Sequence, residues 1–310
     1  MLAIFLKTLP FFALIGLGYA AGRTRFFTEE ATAYLTKFVF WFALSAMLFS
    51  FAANLTLADI LDGRFIAAYL WGTGFIYLVA TAVGFVRGLS VAESAVEAQC
   101  AVIGNLGFMG IPMLALLLGP QSAGPLLMLL AVDLILFSSL IVILITGSRG
   151  EAGWGMLRTV GGGLVKNPMV VSIAAGIAWS ATGRELWDPV AEFVAILGAA
   201  ATPGALFAIG ASLASKTAER LSVASWLTLC KLVLHPAAVA LSALVLFPVA
   251  DPYAAKVMIA AAALPVAGNV FMLAQHYGVA PQRVSAAILV STALSIATVS
   301  LVVGLLEGGT

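Results

Sequence analysis

The chain has 310 residues, 62% of them hydrophobic and only 9% charged, and its formal net charge is +1. A soluble domain carries about 25% charged residues because its surface must face water, and a mean hydropathy of +1.10 excludes that class. So even a charge balance also gives no case for nucleic-acid binding or a strongly acidic partner.

Apolar runs long enough to cross a bilayer core as helices lie near 2–22, 34–53, 64–86, 95–118 and 123–146. A second set lies near 167–182, 189–213, 221–248, 255–277 and 284–306. The first run, through Phe11 to Ala21, lacks a signal-peptide plan and reads as a membrane helix. Cys100 and Cys230 fall inside such runs and read as small packing groups, with neither a disulfide framework nor metal-ligand spacing. Between the two sets, Gly147 to Lys166 is Gly-rich and carries Arg149, Glu151, Arg158 and Lys166. Its glycines at 161–163 follow no strand and lack the ending of a phosphate-binding loop, so they read as a flexible connector. The predicted architecture is an all-α polytopic membrane protein of ten transmembrane helices: a five-helix unit over 1–146, a linker over 147–166 and a second unit over 167–310.

With the N-terminus outside, the inner loops hold Arg23, Arg25, Arg87, Arg149, Arg158, Lys166, Lys216, Arg220 and Arg283, and the outer side holds Lys7, Arg64, Arg184 and Lys256. The positive-inside bias therefore predicts both termini outside. An offset of 158 lays Pro10 and Gly18 on Pro168 and Gly176, Ser45–Phe49 on Pro203–Phe207, and Leu55 on Leu213. Near an offset of 164, Gly104-Asn105 meets Gly268-Asn269. A unit of five spans re-enters the membrane from the opposite side, so the expected plan is an inverted repeat, as in many secondary transporters.

Spans 4 and 9 each contain a helix-disrupting stretch: Gly104-Asn105 through Gly110-Ile-Pro112, and Leu264-Pro265 through Gly268-Asn269. Proline removes a donor and glycine weakens a helix, and freed backbone groups survive in a membrane only inside protein or against a cavity. The two breaks predict a binding site between the halves. Half-helix N-termini there favour an anion, and Asn105 and Asn269 can cap them or bind a carboxylate. An ordinary proline kink without a ligand is the competing reading. The few deep ionisable residues are Asp133 in span 5 and Lys231 and His235 in span 8. They read either as coupling and substrate attraction or as structure: a Lys231–Asp133 ion pair, or Lys231 bonded to carbonyls freed by Pro236. His235 reads as a packing or hydrogen-bonding group, with a proton relay as the alternative. Glu93 and Glu97 read as a solvated helix start.

At these residues the chain resembles the auxin efflux carrier family, over nearly its whole length. The resemblance rests on Asn105 with Met109-Gly-Ile-Pro112, on Ala263-Leu-Pro265 with Phe271, Ala274 and Tyr277, on Lys166-Asn-Pro168, on Leu206–Leu213, and on Lys231 with Pro236. It implies crossing broken helices 4 and 9, a scaffold of spans 1, 2, 6 and 7, and a transport unit of spans 3–5 and 8–10. It also implies elevator-type movement of a small carboxylate, auxin-like or malonate-like, by a homodimer in the bacterial inner membrane, among lipids and without a cofactor, metal or catalytic residue. Substrate-binding positions are then Gly104, Asn105, Pro112, Pro265, Gly268 and Asn269, with Asp133, Lys231 and His235 in support. The family's proline in span 2 is replaced by Ser45, which predicts a straighter span, and the residue before Asn105 is Gly104 where plant members have proline. The alternatives are a sodium-coupled anion symporter similar to the bile acid carriers, a membrane-embedded sensor or, weaker still, an intramembrane enzyme.

Overall fold

A computed structural model describes residues 2–54, 62–150, 153–215 and 221–308. Leu55, Glu151, Lys216, Arg220 and the side chain of Lys7 lie outside the described residues. Among the described residues there is no strand, and the helices follow the apolar runs: α1 (Leu2–Arg23), α2 (Glu29–Ala53), α3 (Gly63–Val86), α4 (Val91–Val102), α5 (Leu106–Leu118) and α6 (Pro120–Ser148). The chain continues through α7 (Trp154–Lys166), α8 (Pro168–Ser180), α9 (Asp188–Leu213), α10 (Leu221–Leu246), α11 (Pro252–Ala262), α12 (Gly268–Tyr277) and α13 (Pro281–Gly308).

Local chemistry sets where several of these begin. Thr28 accepts from the N–H of Ala31, Asp62 from Arg64 and Phe65, Asn167 from Met169, and Asp251 from Tyr253. Each supplies a side-chain acceptor for donors that a helix start leaves unpaired. Pro168 and Pro252 follow their caps directly, where a missing N–H is harmless. By length and composition α2, α3, α6, α9, α10 and α13 each suffice to cross a membrane, and α7 with α8 forms a further candidate bent by 67°. The protein is a multi-pass membrane protein. Large apolar side chains such as Leu78, Phe193, Ile196 and Val245 point outward, as lipid requires.

Two expectations need correction. The glycines at 161–163 are not a loose connector but lie inside α7. A helix satisfies its own backbone, and beside a membrane that outweighs the ~1 kcal/mol each glycine costs. In α2, which runs unbroken from Glu29 to Ala53, a π turn occupies Val39–Ala43, and the Ser45 hydroxyl donates to the carbonyl of Phe40 at 3.1 Å. Glu97 is not solvated. It is buried between Arg87 at 2.5 Å and Arg283 at 3.1 Å, while Arg283 also holds Glu93 at 3.0 Å. Glu93 completes a capping box with Ser90. The Ser90 backbone N–H, then its hydroxyl, then Arg283, together hold the Glu93 carboxyl below its usual range against some desolvation.

Helix packing is closest at glycines. Gly18 of α1 lies directly against the carbonyl of Phe207 in α9, leaving no space for a Cβ. Gly176 of α8 makes the corresponding approach to α2, where a Cβ would come 2.8 Å from the carbonyl oxygen of Phe49. These pairs are the ones an offset of 158 superimposes: Gly18 on Gly176, and Phe49 on Phe207. Elsewhere α3 packs on α4 and α10, α4 on α6, α10 on α11 and α13, and α12 on α13.

Candidate functional site

Helix α4 ends at Val102, and its chain runs extended through Ile103 and Gly104 before turning back into helix. The helix of span 9 ends at Ala262, and residues 263–267 are likewise non-helical up to α12. The two interruptions meet. Gly104 and Val266 form an antiparallel bridge, with the N–H of Asn105 donating to the carbonyl of Pro265 at 2.9 Å and the N–H of Ala267 to that of Ile103 at 3.1 Å. Backbone groups released by one break thus satisfy those released by the other, which is how such breaks persist within a membrane. The hydroxyl of Ser291 in α13 accepts from the N–H of Val266.

Pro265 lies at this crossing, where its lack of an N–H is no loss. Pro112 does not. It sits near the start of the helix Ile111–Leu118, just after a π turn over Leu106–Gly110. The same pattern recurs in α10, where a π turn over Cys230–Leu234 precedes Pro236. A widened turn gives the proline ring room against the preceding carbonyls.

Beneath the crossing lies a cavity of about 20 Å³, bordered by Gly104, Asn105, Gly268, Asn269, Asp133 and Met169 among others. That is about enough for one water. Four of the six sequence-derived binding positions are therefore brought together; Pro112 and Pro265 are not among the lining residues. Neither asparagine caps a helix through its side chain: Asn105 precedes the π turn without a capping bond, and the N-cap of α12 is Ala267. Asn105 is 6% exposed. Oδ1 of Asn269 is buried and lacks a hydrogen-bond partner, as does Oδ2 of Asp133. From α8, Met169 lines the cavity and lies where a Cβ on Gly107 would fall, at 2.7 Å, and from α2 Phe40 stacks on the lining Phe108 at 6.3 Å.

Among the described residues Lys231 and Asp133 form no ion pair. Asp133 accepts from the Tyr69 hydroxyl through Oδ1 at 2.8 Å. Lys231 Nζ donates to the carbonyl of Ala262 at 2.6 Å and lies 3.2 Å from Nδ1 of His235, whose Nε2 is 3.1 Å from the Thr73 hydroxyl. Nδ1 also lies 3.2 Å from the Ala262 carbonyl; with Lys231 donating to both of these acceptors, Nε2–H donates to Thr73. Lys231, His235 and Thr73 are fully buried. Lys231 thus places a donor on the last carbonyls of α11, the negative end of that half-helix. Pro236 frees none of the carbonyls involved. A Cβ on Gly104 would come 3.4 Å from Cε of Lys231, so the crossing and the lysine fit against one another only closely. Tyr69, Thr73, Met169 and Ser291 were not singled out from the sequence. The one available signal was the spacing of Tyr69 and Thr73, one turn apart in an otherwise apolar run.

The sequence profile of a family described as membrane transport protein matches residues 3–303. A Rhizobium meliloti (strain 1021) protein named "Putative malonate transporter" is 31% identical over 309 residues, covering 97% of this chain and 95% of that one.

Proposed function

The chain belongs to the membrane transport protein family, that of the auxin efflux carriers, and from that membership we propose that it is a secondary carrier of small organic carboxylates. The observation that carries this reading is the crossing of the two helix breaks, which gathers Asn105 and Asn269 around one cavity. The start of α12 adds backbone donors and the positive end of a helix dipole, which suit a carboxylate. The malonate named for the R. meliloti relative makes a short dicarboxylate the first candidate substrate. The family and the relative's name both point to a transporter rather than an enzyme.

The reading extends to architecture. Ten spans in two inverted halves account for the breaks in spans 4 and 9 and for the paired contacts of Gly18 with Phe207 and Gly176 with Phe49. Spans 1, 2, 6 and 7 serve as scaffold, and spans 3–5 and 8–10 as the moving unit. An apolar groove of about 330 Å³ between them, with Ala52 and Ile173 on one side and Leu70, Leu127 and Ile135 on the other, supports a sliding, elevator-type movement. A one-water cavity is too small for a dicarboxylate, so binding needs the two units to part. A homodimer joined through the scaffold, in a bacterial inner membrane with both termini outside, completes the proposal.

The test is counterflow in proteoliposomes: protein loaded with unlabelled malonate, succinate or acetate is given the labelled acid outside. Accumulation of label with at least one of them is the expected result. Absence of exchange with all three overturns the reading.

A further inference from the structure

Asp133 is 2% exposed and its carboxyl is engaged on one side only. Tyr69 donates to Oδ1 at 2.8 Å, whereas Oδ2 is buried without a hydrogen-bond partner. Oδ1 of Asn269 is in the same condition, and both residues border the cavity under the crossing. Buried acceptors are nearly always paired, and a bare one marks a place where a donor is expected.

The elements around Asp133 supply few candidates. From α3 the titratable group that faces it is Tyr69, already committed to Oδ1. From α10 come Lys231 and His235, which are bonded to the Ala262 carbonyl, to each other and to Thr73. The crossing contributes Asn105, α12 contributes Asn269 and α8 contributes Met169, none of which titrates. No cation among the described residues is within ion-pair distance of the carboxyl; Lys231 attracts it only from farther off, with its own Nζ committed to the Ala262 carbonyl. An ionised Asp133 would then share a small, largely buried cavity with an arriving carboxylate, and like charges in such surroundings oppose one another strongly. A protonated Asp133 reverses the interaction, because its O–H becomes a donor to the substrate. Tyr69 decides which oxygen carries it: Oδ1 is held as an acceptor, and Oδ2 is left for the proton.

We propose that Asp133 is a proton-binding site, loaded at Oδ2 together with the substrate carboxylate, so that the carrier moves one proton with each anion. The proposal rests on the carboxylate reading of the crossing. The balance is simple: one O–H bond forms at Asp133 with a proton from the side of loading and breaks on the side of release. The carboxylate itself crosses unchanged.

The experiment uses the full-length protein in proteoliposomes with radiolabelled malonate. Wild type is expected to perform counterflow at equal pH and also to accumulate malonate when the lumen is made alkaline. Above its loading range, its half-saturating concentration should rise about tenfold per pH unit relative to Asp133→Asn, because only the protonated fraction binds. The Asn variant keeps the shape and offers a permanent donor, and the substrate's own titration is common to both proteins. Asp133→Asn is expected to exchange malonate with a changed half-saturating concentration that shows no such rise, and to lose gradient-driven accumulation. Accumulation retained by Asp133→Asn, or a wild-type-to-variant ratio that stays flat from mildly acidic to mildly alkaline pH, overturns the proton site and leaves the carrier reading standing. Absence of malonate counterflow in the wild type removes the premise and the proposal with it. Should the Asn variant not fold, Asp133→Ser takes its place, with counterflow again required and accumulation again expected to vanish.

Discussion

The main-chain N–H of Asn105 donates to the carbonyl of Pro265 across 160 residues of chain at 2.9 Å, and this bond sets where the Asn105 side chain stands. Backbone pairing fixes the position, so the side chain is left for binding rather than for holding the crossing together.

Asn105→Ala should therefore fold normally and bind carboxylate poorly. A hydrogen bond to a charged group is worth about 1.5–3 kcal/mol, which corresponds to roughly a 10- to 150-fold rise in the dissociation constant. Ligand-induced thermal stabilisation checks this, since malonate should raise the melting temperature of wild type and leave that of the variant nearly unchanged. Equal stabilisation of both would remove Asn105 from the site.

Lys231 behaves as a strut. Lys231→Met takes a donor from two buried acceptors, the Ala262 carbonyl and Nδ1 of His235. Each unsatisfied group costs about 1–3 kcal/mol. The variant should show a clearly lowered melting temperature in detergent, beyond that of Asn105→Ala, and a lysine that served only substrate attraction would leave it unmoved.

The same strut bears on sodium. The negative end of α11 is already served by Lys231 Nζ, and the described residues offer no cluster of acidic groups and histidines fit for a metal ion. Malonate counterflow should be indifferent to replacing sodium with choline. A steep dependence on sodium would favour the symporter alternative.

Close packing of α1 on α9 predicts intolerance at Gly18. Gly18→Val places branched carbon on the Phe207 carbonyl and forces the helices apart. Overpacking costs about 1–3 kcal/mol, occasionally more. Size-exclusion profiles should show aggregation or a lowered yield, while Gly16→Ala, where a Cβ meets nothing within 4 Å, should resemble wild type.

Glu93 gives a pH signature. Its folded carboxyl is held below the usual range, so its contribution is present above the ordinary carboxylate pKa and is lost as pH falls through the folded value. The side chain is 33% exposed, and screening keeps the effect to a few tenths of a kcal/mol. Glu93→Gln should melt slightly below wild type near neutral pH, and the gap should close in acid. A gap that widens in acid would contradict the sign.

Much of this molecule was legible in its sequence, for reasons that differ from part to part. Apolar runs located the helices because hydrocarbon tolerates little else. Gly104, Asn105, Gly268 and Asn269 stood out because helix breakers are expensive at that depth and must be explained. What stayed hidden were partnerships across the bundle. Tyr69 and Met169 look like ordinary apolar filling until α3 and α8 bring them to Asp133 and Gly107. Glu97 resembled a surface acid because Arg283, 186 residues away in sequence, gave no local sign of reaching it. Pro112 sits in helix outside the cavity lining, after a π turn that gives its ring room.

The cavity under the crossing holds about 20 Å³ and no more. A resting cell membrane carries a voltage worth about 2.3 kcal/mol per elementary charge at 100 mV, and any thread of water through a carrier would let protons run down it. A chamber with room for a single water interrupts such a thread at the crossing, so proteoliposomes carrying the protein without substrate should hold a voltage as well as protein-free ones.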